Sequence, residues 1–116
     1  MDTPGYDISS VTSMVAGGAT VVVFTTGRGT PTGHALAPVI KVTGNRETAK
    51  RMADNMDIDV SGILEGDLTI ADAGKGILDE VIRVSALFVW KLSEIHKTEK
   101  INKKMIVLIN CFHEIH

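Results

Sequence analysis

The sequence predicts an α/β fold, a layered Rossmann-like domain with a mainly parallel sheet flanked by helices. Two observations carry this expectation. Residues 19–25, Ala-Thr-Val-Val-Val-Phe-Thr, form a near-continuous apolar run. Its length and β-branched content suit a strand buried on both faces, and such strands belong to parallel sheets covered by helices. Segments of helical periodicity also alternate with β-branched runs, the pattern of a layered α/β domain.

The elements follow in order. Met1 to Asp7 is turn-rich, with Pro4 and Gly5. Ser9 or Ser10 caps a short helix whose face carries Val11, Met14 and Val15, and Gly17-Gly18 stops it. The first strand follows. Thr26 to His34 is then a loop with Gly27, Gly29, Gly33 and Pro31. Val39-Ile40-Lys41-Val42-Thr43 reads as a second strand. Asn45 caps a helix with Glu47 in its first turn, and Ala49, Met52, Ala53 and Met56 make an apolar stripe at i, i+3, i+4 and i+7. Asp57-Ile58-Asp59-Val60 alternates and is either a short strand or an extended link. Thr69 and Asp72 have capping-box spacing before a long helix marked by Ile70, Ala73, Ile77, Val81 and Val84. Gly74 and Gly76 each weaken its start by roughly 1 kcal/mol against alanine. After Ser85 the character changes. Leu87-Phe88-Val89-Trp90 is apolar all round, a charged stretch follows, and Met105-Ile106-Val107-Leu108-Ile109 reads as a strand or an adhesive edge. The expected organisation is a domain over residues 1–86 and a divergent tail over 87–116, packed on an edge or at a subunit interface.

The chain has 116 residues, room for one domain with one core. Its net charge of −2 offers no basic field for nucleic acid or anionic membrane. Its one cysteine, Cys111, excludes an internal disulfide and fits a reducing compartment. No apolar stretch approaches the roughly 20 residues of a membrane span. The N-terminal residues do not read as a secretory signal, so the expected location is the cytoplasm.

The Thr25 to His34 loop leaves a strand at its carboxyl end, where ligands bind in open α/β sheets. Its glycines allow close backbone approach and expose N–H donors to an anion. Arg28 adds a planar fork matched to a carboxylate, and His34 suits an acid, a base or a ligand. The same Gly-Arg-Gly reads equally well as a flexible turn with a solvated arginine. Thr32 stands where the dinucleotide fingerprint needs glycine, and no Walker A pattern is present. Asp2-Thr3 in a proline-fixed turn suits a metal or a polyol, although a plain terminal turn is the simpler reading. Asp57 and Asp59 would share one face of a strand. Cys111, His113 and His116 carry zinc-type donors without a fourth ligand, so coincidence is the preferred reading there.

Further residues form a recognisable set. Met1 to Asp7, Val15-Ala16-Gly17-Gly18-Ala19 and Val23 to Pro31 resemble the altronate and galactarate dehydratase family, which includes sulfolactate sulfo-lyase large subunits. Ala37 to Asn45, Asp54-Asn55-Met56-Asp57-Ile58 and Gly62-Ile63-Leu64-Glu65-Gly66 fit the same family in colinear order. The resemblance covers roughly residues 1–85 and corresponds to the C-terminal part of a longer protein; residues 87–116 depart from it. It implies elimination of water from altronate or galactarate to a 2-keto-3-deoxy acid, with a divalent metal, Fe2+ in the first instance. Arg28 would then clamp the substrate carboxylate, Gly27, Gly29 and Thr30 would line it through backbone and hydroxyl groups, and Lys41 would add a second cation. Asp2 and Thr3 would face the same cleft; the base is not assignable, with His34 the catalytic candidate by its chemistry and the upstream region the other source. The metal ligands are not assignable. The expected partners are a small sugar acid, an upstream catalytic region or subunit, and a second copy of the chain, with neither nucleic acid nor membrane. A non-catalytic carboxylate-binding or oligomerisation domain is the alternative, and a nucleotide-binding module a weaker third.

Overall fold

The computed structural model describes residues 2–97. Its elements are α1 (Asp7–Ala16), β1 (Val22–Thr25), β2 (Val39–Thr43), α2 (Arg46–Arg51), a 3-10 turn (Ala53–Asn55), β3 (Ile58–Asp59), α3 (Gly62–Glu65) and α4 (Ile70–Lys97). The three strands pair in the order β1-β2-β3 and both pairings are parallel. The fold is therefore α/β with a parallel sheet, and α1 and α2 pack on β1 and β2.

Helix α1 begins three residues earlier than a Ser9 cap would set it, and four earlier than a Ser10 cap. Tyr6 stands at the N-cap without a side-chain cap bond, and Asp7 supplies a carboxylate to the first turn. Ser10 instead shares a 2.9 Å hydrogen bond with Thr3. Val11 is fully buried and anchors the helix, with Met14 and Val15 half-buried beside it. The expected stop at Gly17-Gly18 is present as a Schellman motif. Ala19 N–H donates to the Met14 carbonyl and Gly18 N–H to the Val15 carbonyl, both at 3.0 Å. Gly18 takes the left-handed conformation this requires, with φ 102°.

The first strand differs from expectation. It is shorter, and only one of its residues, Val22, is buried. The register sets Val23 beside Ile40 on one face. Ile40 on the central strand is 2% exposed, whereas Val23 on the edge strand is 41% exposed. An apolar run shows that a strand forms; its position in the sheet decides whether both faces are covered.

Strand β2 has the expected span and is the most deeply buried, with Ile40, Val42 and Thr43 inside. Asn45 caps α2 as its sequence position indicates, its Oδ1 accepting from Glu47 N–H at 3.0 Å and Thr48 N–H at 3.4 Å. The apolar stripe does not become a buried face. The helix ends at Arg51, so the i+7 period is broken, and the buried residue of α2 is Thr48. Ile58 and Asp59 form β3, which resolves the open choice in favour of a short strand.

Thr69 and Asp72 bond each other at the start of α4. Thr69 Oγ1 accepts from Asp72 N–H at 3.1 Å and donates to its carboxylate at 2.7 Å. The helix runs on through Leu87–Val89 to Lys97 because no glycine or proline follows Gly76. Only Ala73 of its expected inward face is buried, while Ile77, Val81 and Val84 are intermediate. By its contacts the chain divides into Met1–Ser85 and Ala86–His116. The expected Met105–Ile109 strand and the Cys111, His113 and His116 cluster lie outside the described residues. Among the described residues, no helix is long and apolar enough to cross a membrane.

The buried apolar set is small: Val11, Val22, Ala37, Ile40, Val42 and Ala73. Each member therefore carries a large share of the packing. Val11→Ala removes two buried methyl groups and should cost about 2 kcal/mol. A urea titration followed by circular dichroism checks this; an unchanged midpoint would show that α1 is not anchored by Val11.

Candidate functional site: an arginine loop at the carboxyl edge of the sheet

Parallel strands need a long crossover, usually carrying a helix. Residues 26–38, which join β1 to β2, contain no helix or strand. A loop of this length without secondary structure is characteristically functional. Its backbone groups must find partners elsewhere.

Those partners come from three directions. Thr26 N–H continues the ladder to the Val42 carbonyl at 2.9 Å, and Thr26 Oγ1 turns back to accept from Gly29 N–H at 3.0 Å. Thr48 Oγ1, on the buried side of α2, donates to the Gly27 carbonyl at 2.7 Å. Arg51, one turn further, donates through Nη2 to the Arg28 carbonyl at 2.8 Å. The loop thus lies along α2, bound at consecutive carbonyls by side chains three residues apart, a spacing that puts them on one helical face.

Gly29 is the position where this approach requires glycine. Its φ is +85°, and a Cβ there would lie 2.3 Å from Met52 Sδ and 2.9 Å from Thr48 Cγ2. Gly27 is not under that constraint: it has no positive φ and nothing within 4 Å of its built Cβ. Beyond the glycines, Thr30 and Thr32 are buried and serve each other. Thr30 Oγ1 donates to Thr32 Oγ1 at 2.7 Å and accepts from Thr32 N–H at 3.2 Å.

The residues singled out from sequence fall into two groups. Gly27, Arg28, Gly29 and Thr30 occupy this one braced turn, with the Arg28 side chain exposed and the Thr30 hydroxyl spent within the loop. His34 lies further along, half-buried, its Nδ1 accepting from Leu36 N–H at 3.2 Å. A neutral imidazole accepting at Nδ1 carries its hydrogen on Nε2, which makes that nitrogen a hydrogen-bond donor. Lys41 stands in mid-strand opposite Phe24, two residues short of the carboxyl end of β2. Thr3 is engaged with Ser10, and neither it nor Asp2 is hydrogen-bonded to the loop. Asp57 and Asp59 are occupied structurally: Asp57 Oδ2 accepts from Lys41 N–H at 2.7 Å and Asp59 Oδ1 from Ser61 N–H at 2.8 Å. Among the described residues, no group of three His, Cys, Asp or Glu side chains is placed to hold a metal ion. Asp2 and His34 do not complete a donor set.

Thr48 and Arg51 were not legible as loop anchors. The available signal was a threonine in place of an apolar residue on α2, with an arginine three positions later on the same face. The ion pairs sharpen the contrast among arginines. Arg46 pairs with Glu65, whose hydrogen bond and charge hold the guanidinium above its ordinary value. Arg83 pairs with Glu80, which lowers that carboxyl. Among the described residues Arg28 and Arg51 have no such partner. A hollow of about 400 Å³ on the other side of α2, lined by Ala49, Lys50, Ala53 and Met56 among others, includes no residue of the loop. The loop is a wall open to its surroundings.

The brace makes a directional prediction. Gly29→Ala forces a left-handed conformation on a residue with a Cβ, costing roughly 1–2 kcal/mol, and pushes Met52 and Thr48 away from the loop. Gly27→Ala should fall within about 0.5 kcal/mol of the parent. Thermal unfolding of the two variants side by side checks this, and equal losses would remove the case for a close approach at Gly29.

The family described as D-galactarate/Altronate dehydratase, C-terminal, matches residues 1–111. Galactarate dehydratase (L-threo-forming) of Escherichia coli K12 is 43% identical over 84 residues, which is 72% of this chain and 16% of that protein. The (2R)-sulfolactate sulfo-lyase subunit beta of Chromohalobacter salexigens is 33% identical over 85 residues, covering 73% of this chain and 22% of that subunit. Altronate dehydratase of Bacillus subtilis 168 is 34% identical over 68 residues, 59% of this chain and 14% of that enzyme. The chain spans less than a quarter of the length of these relatives. The family match extends to residue 111, beyond the departure expected near residue 87. The chain belongs to the galactarate and altronate dehydratase family, whose C-terminal region it represents.

Proposed function

We propose that this chain forms one wall of a sugar-acid dehydratase active site and that its braced loop holds the substrate carboxylate through Arg28. The observation that carries the reading is the contrast between a rigidly held backbone and an exposed guanidinium without an ionic partner among the described residues. Positioned cations contribute to catalysis only when they need not be reorganised during reaction. The hydrogen bonds at Gly27 and Arg28, with the close packing of Gly29, supply that preorganisation.

The reaction is elimination of water from galactarate or altronate to give a 2-keto-3-deoxy acid. A base removes the proton next to the carboxylate, charge develops on the carboxylate oxygens, and an acid protonates the leaving hydroxyl. Arg28 would neutralise the developing charge through its bidentate fork. His34, in its protonated form, would be the candidate acid, and the base would come from another part of the enzyme. A divalent metal, Fe2+ in the first instance, would likewise take its ligands outside residues 2–97. The other wall would cover side chains left bare here, among them Tyr6, Ile8, Leu64 and Leu78, which are 83%, 71%, 84% and 58% exposed. Cytoplasmic location and homo-oligomeric assembly belong to the same proposal.

Two measurements test it. In a full-length enzyme carrying this region, Arg28→Lys keeps the charge and loses the fork, so turnover should fall roughly 100- to 1000-fold with the far-ultraviolet circular dichroism unchanged. Near-parental turnover would sink the clamp. The 116-residue chain alone should form no keto acid from galactarate or altronate with ferrous iron under anaerobic conditions. Turnover in the ordinary enzyme range, roughly 1–1000 per second, would place the catalytic groups within this chain.

A further inference from the structure

We infer that Arg51 is a specificity-determining residue of the Arg28 site, a second cation that selects a dianionic acid over a monoanionic one. The inference rests on the reading of Arg28 as a carboxylate clamp. Arg51 occupies the last turn of α2 and is exposed. Its Nη2 donates to the Arg28 carbonyl at 2.8 Å. That bond fixes the Arg51 head at the Arg28 backbone, within the reach of one arginine side chain from the Arg28 guanidinium. A guanidinium has five N–H donors, and the carbonyl engages one nitrogen. The rest of the fork remains available to an acid group.

The charges around it point the same way. Of the four arginines, Arg46 and Arg83 are committed to Glu65 and Glu80. Arg28 and Arg51 form no ion pair among the described residues. Glu47, one turn earlier on α2, and Asp54, on the following 3-10 turn, are both exposed and both unpaired with Arg51. Two cations brought together without a carboxylate repel each other. A ligand with one acid group relieves half of that, whereas a ligand with acid groups at both ends of a short chain can engage each fork. Arg51 therefore adds affinity selectively for the dianion, and its hydrogen bond to Arg28 sets where the second acid group must lie.

The test compares galactarate with galactonate, which carries a hydroxymethyl group in place of the second carboxylate. Titration calorimetry of the 116-residue chain at pH 7 and low salt reads both affinities. The parent should bind galactarate roughly tenfold tighter, the scale of one added charge-assisted contact. Arg51→Gln should weaken galactarate more than galactonate and bring their ratio close to one, with any loss common to both acids measuring the lost brace at the Arg28 carbonyl. Arg51→Lys should restore part of it, because the charge survives and the fork does not. Equal affinities in the parent overturn the inference, as does absence of binding to either acid. An equal fold loss of both affinities in Arg51→Gln, with the roughly tenfold preference kept, also overturns it, since that result shows only a brace for the loop. Arg28→Gln tests the underlying reading separately: it should weaken both acids, and unchanged binding of both removes the clamp and the Arg51 inference with it, whereas weakened binding of both with a preference that Arg51→Gln leaves intact removes the Arg51 inference alone.

Discussion

The hydrogen bond from Thr48 to the Gly27 carbonyl is the contact on which the rest of the site depends. A helix-free connection between parallel strands leaves a row of peptide groups with no internal partners. Water can satisfy them, but then the connection samples many conformations and any arginine on it is merely solvated. Thr48 changes this because it is itself buried and donates at 2.7 Å. A short, shielded hydrogen bond holds more firmly than an exposed one, since breaking it strands a buried hydroxyl. The left-handed turn at Gly29, the packing of Met52 against it and the reach of Arg51 to the next carbonyl all require the loop to lie this close to α2.

Much of this fold is written in local pattern. Asn45 caps the helix its position announces, Gly18 closes α1 in the conformation glycine tolerates best, and the β-branched run 39–43 is the central strand. These features are legible because each is decided by residues within one or two turns of each other. The errors share the opposite character. Val23 and Val22 are chemically identical neighbours, yet one is on the bare face of an edge strand. Met52 and Ala53 fit a helical stripe, but α2 has already ended at Arg51. The long final helix passes through the change in composition at residue 86 because helix continuation depends on the absence of a breaker, not on which side chains follow.

The candidate site was half legible for the same reason. Arg28 could be chosen from sequence, since glycines on both sides and a preceding strand are all local. What holds its backbone in place is twenty or more residues away, on α2. Thr48 is a polar residue within an amphipathic stretch, and Arg51 is a cation in the last turn of α2, where positive charge is favourable in any case. A residue that already has a sufficient local explanation gives sequence reasoning no cause to seek a distant one.

The balance of buried and exposed surface bears on how such a loop can be used. Among the described residues, six buried apolar side chains, two of them alanine, form the core, while Ile70, Leu78 and Ile82 of α4 remain more than half exposed. Burial stabilises by roughly 25 cal/mol for each Å² removed from water, so this apolar surface is a reserve of free energy that folding has left unused. Docking against a second wall would draw on that reserve. It would also exclude water from a loop that is now open, and the attraction between a guanidinium and a carboxylate strengthens as the surrounding dielectric falls. An arginine held in place by α2 but left in solvent is therefore a group whose strength is set by what closes over it. On the proposed reading, the apolar faces that call for a partner and the cation that gains from one belong to a single design, in which assembly of the cleft and activation of the clamp are the same event.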